Sequence, residues 1–310
     1  MLSTRLWVGF PLAGLVLFFL FADVWWAPWY PACWVIFTVG VLVGGFELNA
    51  LLPPKFRSPG WLILLGLAVL VTSNWVPHII KHYTGAPPPW DEVSHWAWVL
   101  GAFAGFFLLV FLREMDNFQG PDDVVVRMAG AVWIATYLGL LPSFLIQLRW
   151  LKTETVPESL QLVASSVALM MAISIPKACD VGAYFAGKYL TKYLGRHRLT
   201  PNLSPKKTWQ GVFGGLIFAT LMTALMDTLA PVQLLRGSLL NHIGFGVTVG
   251  GAGILGDLAE SLIKRDCERK DASHVVPGFG GVLDVIDAVL FAAPIAYLWF
   301  FLLRAFEPPI

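Results

Sequence analysis

Charged residues are scarce in this sequence: Asp, Glu, Lys and Arg together make up 13% of it, whereas hydrophobic residues make up 57%. Few soluble cores need so much apolar surface, and here the apolar residues come in long blocks. The composition therefore excludes an ordinary soluble globular domain and predicts a polytopic membrane protein. The formal net charge of +1 identifies no partner until the charges are sorted by side of the membrane.

Cysteines and internal repeats are lacking as well. The three cysteines show neither pairing nor metal-like spacing, and an odd number argues against a disulfide framework. No internal repeat is visible in the chain. This weakens a transporter interpretation, because many transporters are built from repeated halves.

The apolar blocks predict an all-α polytopic membrane protein with about nine transmembrane helices, most of them near the ~20 residues needed to cross the hydrocarbon core. The first block is interpreted as an uncleaved span, because no small-residue cleavage site follows it and an interfacial belt of Trp and Tyr does. The predicted spans are Leu6–Phe21, Cys33–Leu52, Trp61–Val76, Trp96–Leu112, Val124–Ile146, Leu160–Tyr184, Gly211–Met226, Leu239–Leu262 and Val282–Leu303.

The basic residues indicate an orientation for these spans. Fifteen Lys and Arg fall on the side of the N-terminus and five on the other side. Because positive charge marks the cytoplasmic side, the N-terminus is predicted to be cytoplasmic and the C-terminus outside. Residues 1–150 are predicted to be a scaffold of transmembrane helices, and residues 151–310 a catalytic region with cytoplasmic loops at 185–210 and 263–281.

The first of these loops is strongly basic, which attracts anions. Positive charge beside anionic lipid head groups would explain several of its lysines, but not the tight run Ser204-Pro205-Lys206-Lys207-Thr208 before the seventh span. There a rigid Ser-Pro turn is expected, followed by two ammonium groups, a hydroxyl and a helix N-terminus, which favours phosphate binding. Asp180, three residues after Lys177, is either half of a buried ion pair or a site residue beside this loop.

The second polar segment, Gly256–Asp287, places acids inside apolar runs, where an ionisable residue is a functional hypothesis by default. Asp257 and Glu260 are three apart near the end of the eighth span, and Asp284 and Asp287 repeat that spacing in the ninth. Antiparallel neighbours would bring both pairs together, and clustered carboxylates need cations to stay ionised. Hard oxygen ligands indicate Mg²⁺. The alternatives are a proton relay or ion pairs with Lys264 and Arg265.

A glycine-rich run, Pro277-Gly278-Phe279-Gly280-Gly281, precedes the ninth span. It can present bare backbone N–H groups to an anion, so Gly280 and Gly281 are candidate phosphate-binding residues. The simpler alternative is a turn that returns the chain to the membrane, although such a turn would not require Asp soon after it.

The motifs in these segments resemble those of the CDP-diacylglycerol synthase family, also called phosphatidate cytidylyltransferase. The family signature runs Ser-x-apolar-Lys-Arg, then Lys-Asp, Pro-x-His-Gly-Gly and Asp-Arg-x-Asp. Phe279 stands where the family usually has His, and Val285 where it usually has Arg. The matching runs are Ser261–Arg265, Lys270-Asp271, Pro277–Gly281 and Asp284–Asp287, with Asp180–Tyr184 and Ser204–Trp209 upstream in the same order.

The resemblance implies transfer of a cytidylyl group from CTP to phosphatidate, giving CDP-diacylglycerol and pyrophosphate in phospholipid biosynthesis. It implies CTP and phosphatidate as partners, no nucleic acid, and a homodimer in the inner or plasma membrane of a prokaryote, with the active site facing the cytoplasm. The cofactor is expected to be Mg²⁺, with a second cation left open. The alternatives are another lipid phosphate as substrate, an ion or lipid transporter, and a degenerate homologue that binds lipid without turnover.

The family motifs suggest a role for each candidate residue. Asp257 and Asp284 are the first-choice metal ligands, and Asp287 and Glu260 complete or orient that shell. Lys264 and Arg265 are assigned to phosphatidate or pyrophosphate. The expected nucleotide-binding residues are Asp180, Ser204, Pro205, Lys206, Lys207, Thr208, Gly280 and Gly281.

Overall fold

The computed structural model describes residues 29–85, 95–152, 156–273, 275–276, 278 and 280–305, together with Pro11, Gly14, Phe18, Asp23 and Trp26. The chain divides into two units. The first consists of Met1–Ser143 and Asp271–Val285, and the second of Phe144–Lys270 and Ile286–Ile310.

The first unit is a set of apolar helices that pack through aliphatic side chains. Leu62, Leu67 and Leu70 are fully buried, and Gly66 lies directly against the ring of Phe106. The helices are α1 (Pro31–Leu51), α2 (Gly60–Ser73), α3 (Val76–Thr84), α4 (His95–Asp116) and α5 (Val124–Ala135), with a 3₁₀ turn at Pro54–Phe56.

Prolines explain where these helices break or change pitch. α2 and α3 form a bent pair at 53°, and Pro77, at the start of α3, would clash with the carbonyl of Ser73 in a continuous helix. α5 continues through a π-helical turn, Thr136–Leu140, into α6 (Leu141–Gln147), which begins beside Pro142. Such π-turns re-register one segment of a helix against its neighbours.

The second unit is organised around α7 (Gln161–Tyr189), the most buried of the candidate spans. Small residues let other helices approach it: a Cβ on Gly215 would lie 2.8 Å from the backbone oxygen of Cys179, and one on Gly253 would lie 2.6 Å from Pro176 Cβ. The remaining elements are 3₁₀ turns at Leu148–Trp150 and Glu158–Leu160, α8 (Thr191–Leu194), α9 (Trp209–Leu229), α10 (Leu239–Asp266) and α11 (Leu283–Ala305), whose first three residues belong to the first unit.

A short antiparallel hairpin precedes α9. Its strands are β1 (Arg198–Thr200) and β2 (Ser204–Thr208), with Thr200 opposite Ser204. The prediction that Ser204 and Pro205 form a turn is therefore wrong. The turn lies at 201–203, where Pro and Asn supply the backbone geometry. Pro205 fits in β2 because a two-stranded ribbon leaves one edge of each strand unpaired.

The predicted all-α membrane architecture is confirmed at the level of its helices. Seven described helices are long and apolar enough to cross a membrane, or eight if the bent α2–α3 pair counts as one span. Each of the predicted spans from the second to the ninth coincides with one of these. The first, Leu6–Phe21, lies mostly outside the described residues, so the total of nine and the sidedness stay predictions.

Candidate active site

Three carboxylates converge in the second unit. Asp257 and Glu260, on one face of α10, and Asp287, in the first turns of α11, each offer an oxygen atom, and these atoms all lie within 4.8 Å of one another. Gly256 permits this approach, because a Cβ there would lie only 2.5 Å from the backbone oxygen of Asp287. The predicted convergence of the eighth and ninth spans is thus present for three of the four acids. We call Asp257, Glu260 and Asp287 the acidic cluster.

Two lysines contact the acidic cluster from different elements. Lys207, on β2, places its Nζ 2.7 Å from Oδ2 of Asp257 and donates to the backbone oxygen of Ile254 at 3.3 Å. Lys264, one turn after Glu260 on α10, donates to Glu260 Oε2 at 2.6 Å. The hairpin therefore brings the basic loop into contact with the acidic cluster. The spacing of residues in the sequence did not predict this contact.

A third lysine joins α7 to the acidic cluster. Lys177 Nζ lies 3.9 Å from Oδ2 of Asp180, as the spacing of three predicted, and 3.2 Å from Oδ1 of Asp287. Four carboxylates and three ammonium groups therefore share this end of the second unit. Because like charges this close repel one another, the three carboxylates of the acidic cluster favour an added cation.

Asp284 makes a different set of contacts, within the first unit. Its Oδ2 accepts hydrogen bonds from the backbone N–H groups of Ala272, at 3.0 Å, and Gly281, at 2.7 Å. It is not a member of the acidic cluster. The role of Asp284 as a metal ligand stays a prediction.

Glu47 is a buried acid of the first unit that lies outside the predicted motifs. It lies near the end of α1 and is 3% exposed. Its carboxylate accepts from the hydroxyl of Ser273 at 2.6 Å and from the backbone N–H groups of Val282 at 3.0 Å and Leu283 at 2.9 Å. The signal was available, because an acid inside an apolar run is the same criterion that singled out Asp257.

Two N–H groups of the glycine-rich loop donate hydrogen bonds to neighbouring residues of the chain. The N–H of Gly280 donates to the oxygen of Val276, and that of Gly281 donates to Asp284. Gly280 has a φ of 112°, a conformation that side chains other than glycine rarely adopt. Phosphate binding by Gly280 and Gly281 stays a prediction, while Pro277 and Phe279 lie outside the described residues.

The remaining predicted residues of the basic run surround Lys207. Thr208 caps α9, because its Oγ1 accepts from the N–H of Gly211 at 3.2 Å. Lys206 is exposed on β2, and the carbonyl of Pro205 accepts from Arg196 at 3.3 Å. Ser204 is half-buried at the first position of the strand. Within this described run, Lys207 is the residue that pairs with the acidic cluster.

Lys264 and Arg265 differ in their surroundings although they are neighbours. Lys264 is buried and forms an ion pair with Glu260. This is one of the ion pairs considered as alternatives in the sequence analysis. Arg265 is exposed and donates to the backbone oxygen of Arg269 at 3.2 Å. The two basic groups therefore face different environments.

The acidic cluster has the donor set of a hard divalent cation. Its ligands are carboxylate oxygens without His or Cys, which suits Mg²⁺ better than zinc or copper. Asp257, Glu260 and Asp287 are the residues that could hold such an ion. Fold and site together define a helical integral membrane protein with an acidic cluster surrounded by lysines.

Comparison with known proteins identifies the family. The profile of the cytidylyltransferase family matches residues 3–303. The phosphatidate cytidylyltransferase of Synechocystis is 30% identical over 267 residues, or 78% of each chain, and chloroplastic phosphatidate cytidylyltransferase 5 of Arabidopsis thaliana is 35% identical over 291 residues, 84% of this chain and 68% of that one. That of Haemophilus influenzae is 39% identical over 128 residues, which is 41% of this chain and 43% of the relative.

The chain therefore belongs to the cytidylyltransferase family, in its CDP-diacylglycerol synthase branch. The predicted family and the predicted class of enzyme, a nucleotidyltransferase in a membrane, are confirmed.

Proposed function

We propose that this protein transfers the cytidylyl group of CTP to phosphatidate at the acidic cluster, with Mg²⁺ as its cofactor. The observation that carries the proposal is the convergence of Asp257, Glu260 and Asp287 within 4.8 Å, in a chain of this family. Its relatives are named phosphatidate cytidylyltransferases. Carboxylates and lysines at one place are what a reaction between two polyanionic substrates requires.

In this reaction, a phosphate oxygen of phosphatidate attacks the α-phosphorus of CTP. The new phosphorus–oxygen bond forms as the bond from the α-phosphorus to the bridging oxygen of the β-phosphate breaks, and pyrophosphate leaves with that bonding electron pair. The products are CDP-diacylglycerol and pyrophosphate. Catalysis rests on positioning and charge stabilisation and needs no protein nucleophile.

Lysines adjoining the cluster supply positive charge for the phosphates. Lys207 and Lys177 contact Asp257 and Asp287, so these ammonium groups lie beside the place where the triphosphate would bind. Lys264 is oriented by Glu260. A Mg²⁺ ion held by the acidic cluster would neutralise phosphate charge and polarise the reacting phosphoryl group.

The proposal includes a cytoplasmic active site and nine spans, with the N-terminus cytoplasmic and the C-terminus outside. The support is the bias of basic residues, fifteen on one side and five on the other. The site lies at the carboxyl ends of α7 and α10 and the amino ends of α9 and α11. The predicted topology assigns all four ends to the cytoplasmic side. A homodimer in a prokaryotic plasma membrane is part of the same proposal and rests on the family alone.

The test is Mg²⁺-dependent formation of CDP-diacylglycerol from labelled CTP and phosphatidate by the purified protein. We expect Asp257→Asn and Asp287→Asn to lower the rate roughly 100-fold or more, because each removes a charged ligand of the ion. The matched control is Asp227→Asn. Asp227 is also buried, but its partners are the N–H of Leu235 and the imidazole of His242, near the other ends of α9 and α10. This control is expected to retain activity.

Two outcomes would overturn the proposal. One is turnover no faster in the parent protein than in Asp287→Asn. The other is equal turnover in EDTA and in Mg²⁺. A panel of lipid phosphates in the same assay identifies the acceptor, and preferential labelling of an isoprenoid or ether-lipid phosphate would replace phosphatidate as the substrate.

A further inference from the structure

Glu47 is a buried acid of the first unit whose hydrogen bonds go to a distant segment of the chain, between Ser273 and Leu283. Oε1 accepts from Ser273 Oγ at 2.6 Å and from Val282 N at 3.0 Å, and Oε2 accepts from Leu283 N at 2.9 Å. These donors lie 226 to 236 residues away in the chain. A helix of the N-terminal half thus binds the segment that leads into α11.

The contacts are those of a helix N-cap supplied from a distance. The first N–H groups of a helix have no partner within it, and a nearby side-chain oxygen usually accepts from them. At α11, which begins at Leu283, a carboxylate of α1 accepts instead. A negative charge at this end of a helix also interacts favourably with the helix dipole.

The close approach of Glu47 depends on a glycine. A Cβ on Gly281 would lie 2.6 Å from Oε2 of Glu47, a distance that real Cβ atoms essentially never show. Among the described residues, Glu47 forms no salt bridge. Its three hydrogen bonds to neutral donors therefore hold it in one orientation, and through it they hold the start of α11.

We propose that Glu47 is a positioning residue that fixes the first turn of α11 and thereby the side chain of Asp287. Leu283, whose N–H donates to Glu47, precedes Asp287 by four residues, about one helical turn. A helix transmits the orientation of its first turn to the next through its own hydrogen bonds. The inference rests on the proposed function, since it assigns Glu47 to the ion that Asp287 binds.

Glu47 is expected to affect ion binding indirectly, by orienting the ligand Asp287. Replacing such outer partners lowers metal affinity or activity by roughly 10–100-fold in known metal sites. In Glu47→Gln, the amide can accept through only one atom and turns N–H groups towards the other donors. We therefore expect the segment to loosen without losing its chain path.

The experiment measures binding of Mn²⁺ alone, by electron paramagnetic resonance, and amide hydrogen exchange over residues 280–286. Glu47→Gln is expected to weaken Mn²⁺ binding roughly tenfold and to speed exchange of the Val282 and Leu283 amides. The matched control is Asp23→Asn. Asp23 is fully buried and accepts from the N–H groups of Ala32 and Cys33 at the start of α1. This control is expected to lower stability while Mn²⁺ affinity changes by less than about twofold.

Mn²⁺ affinity in Glu47→Gln within about twofold of the parent would overturn the inference, because a merely structural role would lower stability alone. Should this variant fail to fold, Ser273→Ala decides instead. It removes one donor from a loop and is expected to weaken Mn²⁺ binding roughly threefold, the effect of one hydrogen bond; unchanged affinity would overturn the inference equally. The parent protein could bind Mn²⁺ more tightly than Glu47→Gln and yet not turn over CTP. That result would refute the proposed function but not the inference about Glu47.

Discussion

Removing one charge from the acidic cluster should affect stability in opposite ways with and without the ion. Oxygen atoms of Asp257, Glu260 and Asp287 lie within 4.8 Å of one another. At an effective dielectric constant of about 20, two unit charges at that distance repel by roughly 3.5 kcal/mol. Asp287→Asn relieves two such repulsions, about 7 kcal/mol in all.

The same substitution removes an attraction of similar size. Lys177 Nζ lies 3.2 Å from Asp287 Oδ1, and at the same dielectric constant this pair attracts by roughly 5 kcal/mol. Lys177 keeps Asp180 as a partner at 3.9 Å. Because the relieved repulsion slightly exceeds the lost attraction, we expect the free energy of unfolding of Asp287→Asn in EDTA to equal that of the parent or to exceed it by up to about 2 kcal/mol.

Mg²⁺ should separate the two proteins. An ion that binds only the folded state stabilises it by about 2.7 kcal/mol at 100 times its Kd, which raises the Tm of a chain of this size by roughly 5 °C. Asp287→Asn lacks one of the three carboxylates, so most of this rise should be absent. The assay is thermal unfolding in detergent micelles followed by tryptophan fluorescence, for which the chain supplies 14 Trp.

Asp227→Asn is the control for this comparison. Asp227 accepts from the N–H of Leu235 at 3.0 Å and lies 2.9 Å from His242 Nε2. Loss of that carboxylate should cost about 1–3 kcal/mol in EDTA and in Mg²⁺ alike. The electrostatic reasoning is refuted if Asp287→Asn loses as much stability in EDTA as Asp227→Asn, or if it keeps the full Mg²⁺-dependent rise in Tm.

Two further predictions concern how the cluster is built. Gly256→Ala places a Cβ 2.5 Å from the backbone oxygen of Asp287, so the helices must separate and Mg²⁺-dependent turnover should fall roughly 100-fold. In the control Gly251→Ala, the nearest atom to the new Cβ is 4.0 Å away, and turnover should not change. Equal effects of the two substitutions would contradict this prediction. Lys207→Met should lower kcat/KM for CTP roughly 100-fold. The control Lys192→Met, on the short helix α8, should have little effect on kcat/KM. Equal losses in the two variants would mean that the basic loop acts only through its net charge.

Features set by local spacing were predictable from the sequence. The apolar runs located eight helices, and the spacing of three placed Asp257 and Glu260 on one face of α10. The same rule paired Lys177 with Asp180. In each case the inference needs only helix geometry, which is the same for every sequence.

Contacts between distant segments were not predictable in this way. The spacing of Asp284 and Asp287 indicated one shared pocket, but the cluster of three includes only Asp287. The start of the strand that carries Lys207 to Asp257 was interpreted as a Ser-Pro turn. Partner choice across the chain depends on which helices pack together and at what height, and helix periodicity carries no information about either.

Three buried acids in the apolar helices differ from the acidic cluster in their partners. Glu47 and Asp23 accept from backbone N–H groups at helix starts, and Asp227 accepts from a backbone N–H and lies beside the imidazole of His242. These donors satisfy the carboxylates, so no ion is needed there. Asp257 instead lies beside other carboxylates, whose mutual repulsion its lysine offsets only in part. An intramembrane acid therefore identifies a candidate, and the presence of like charges next to it separates a cation site from a structural cap.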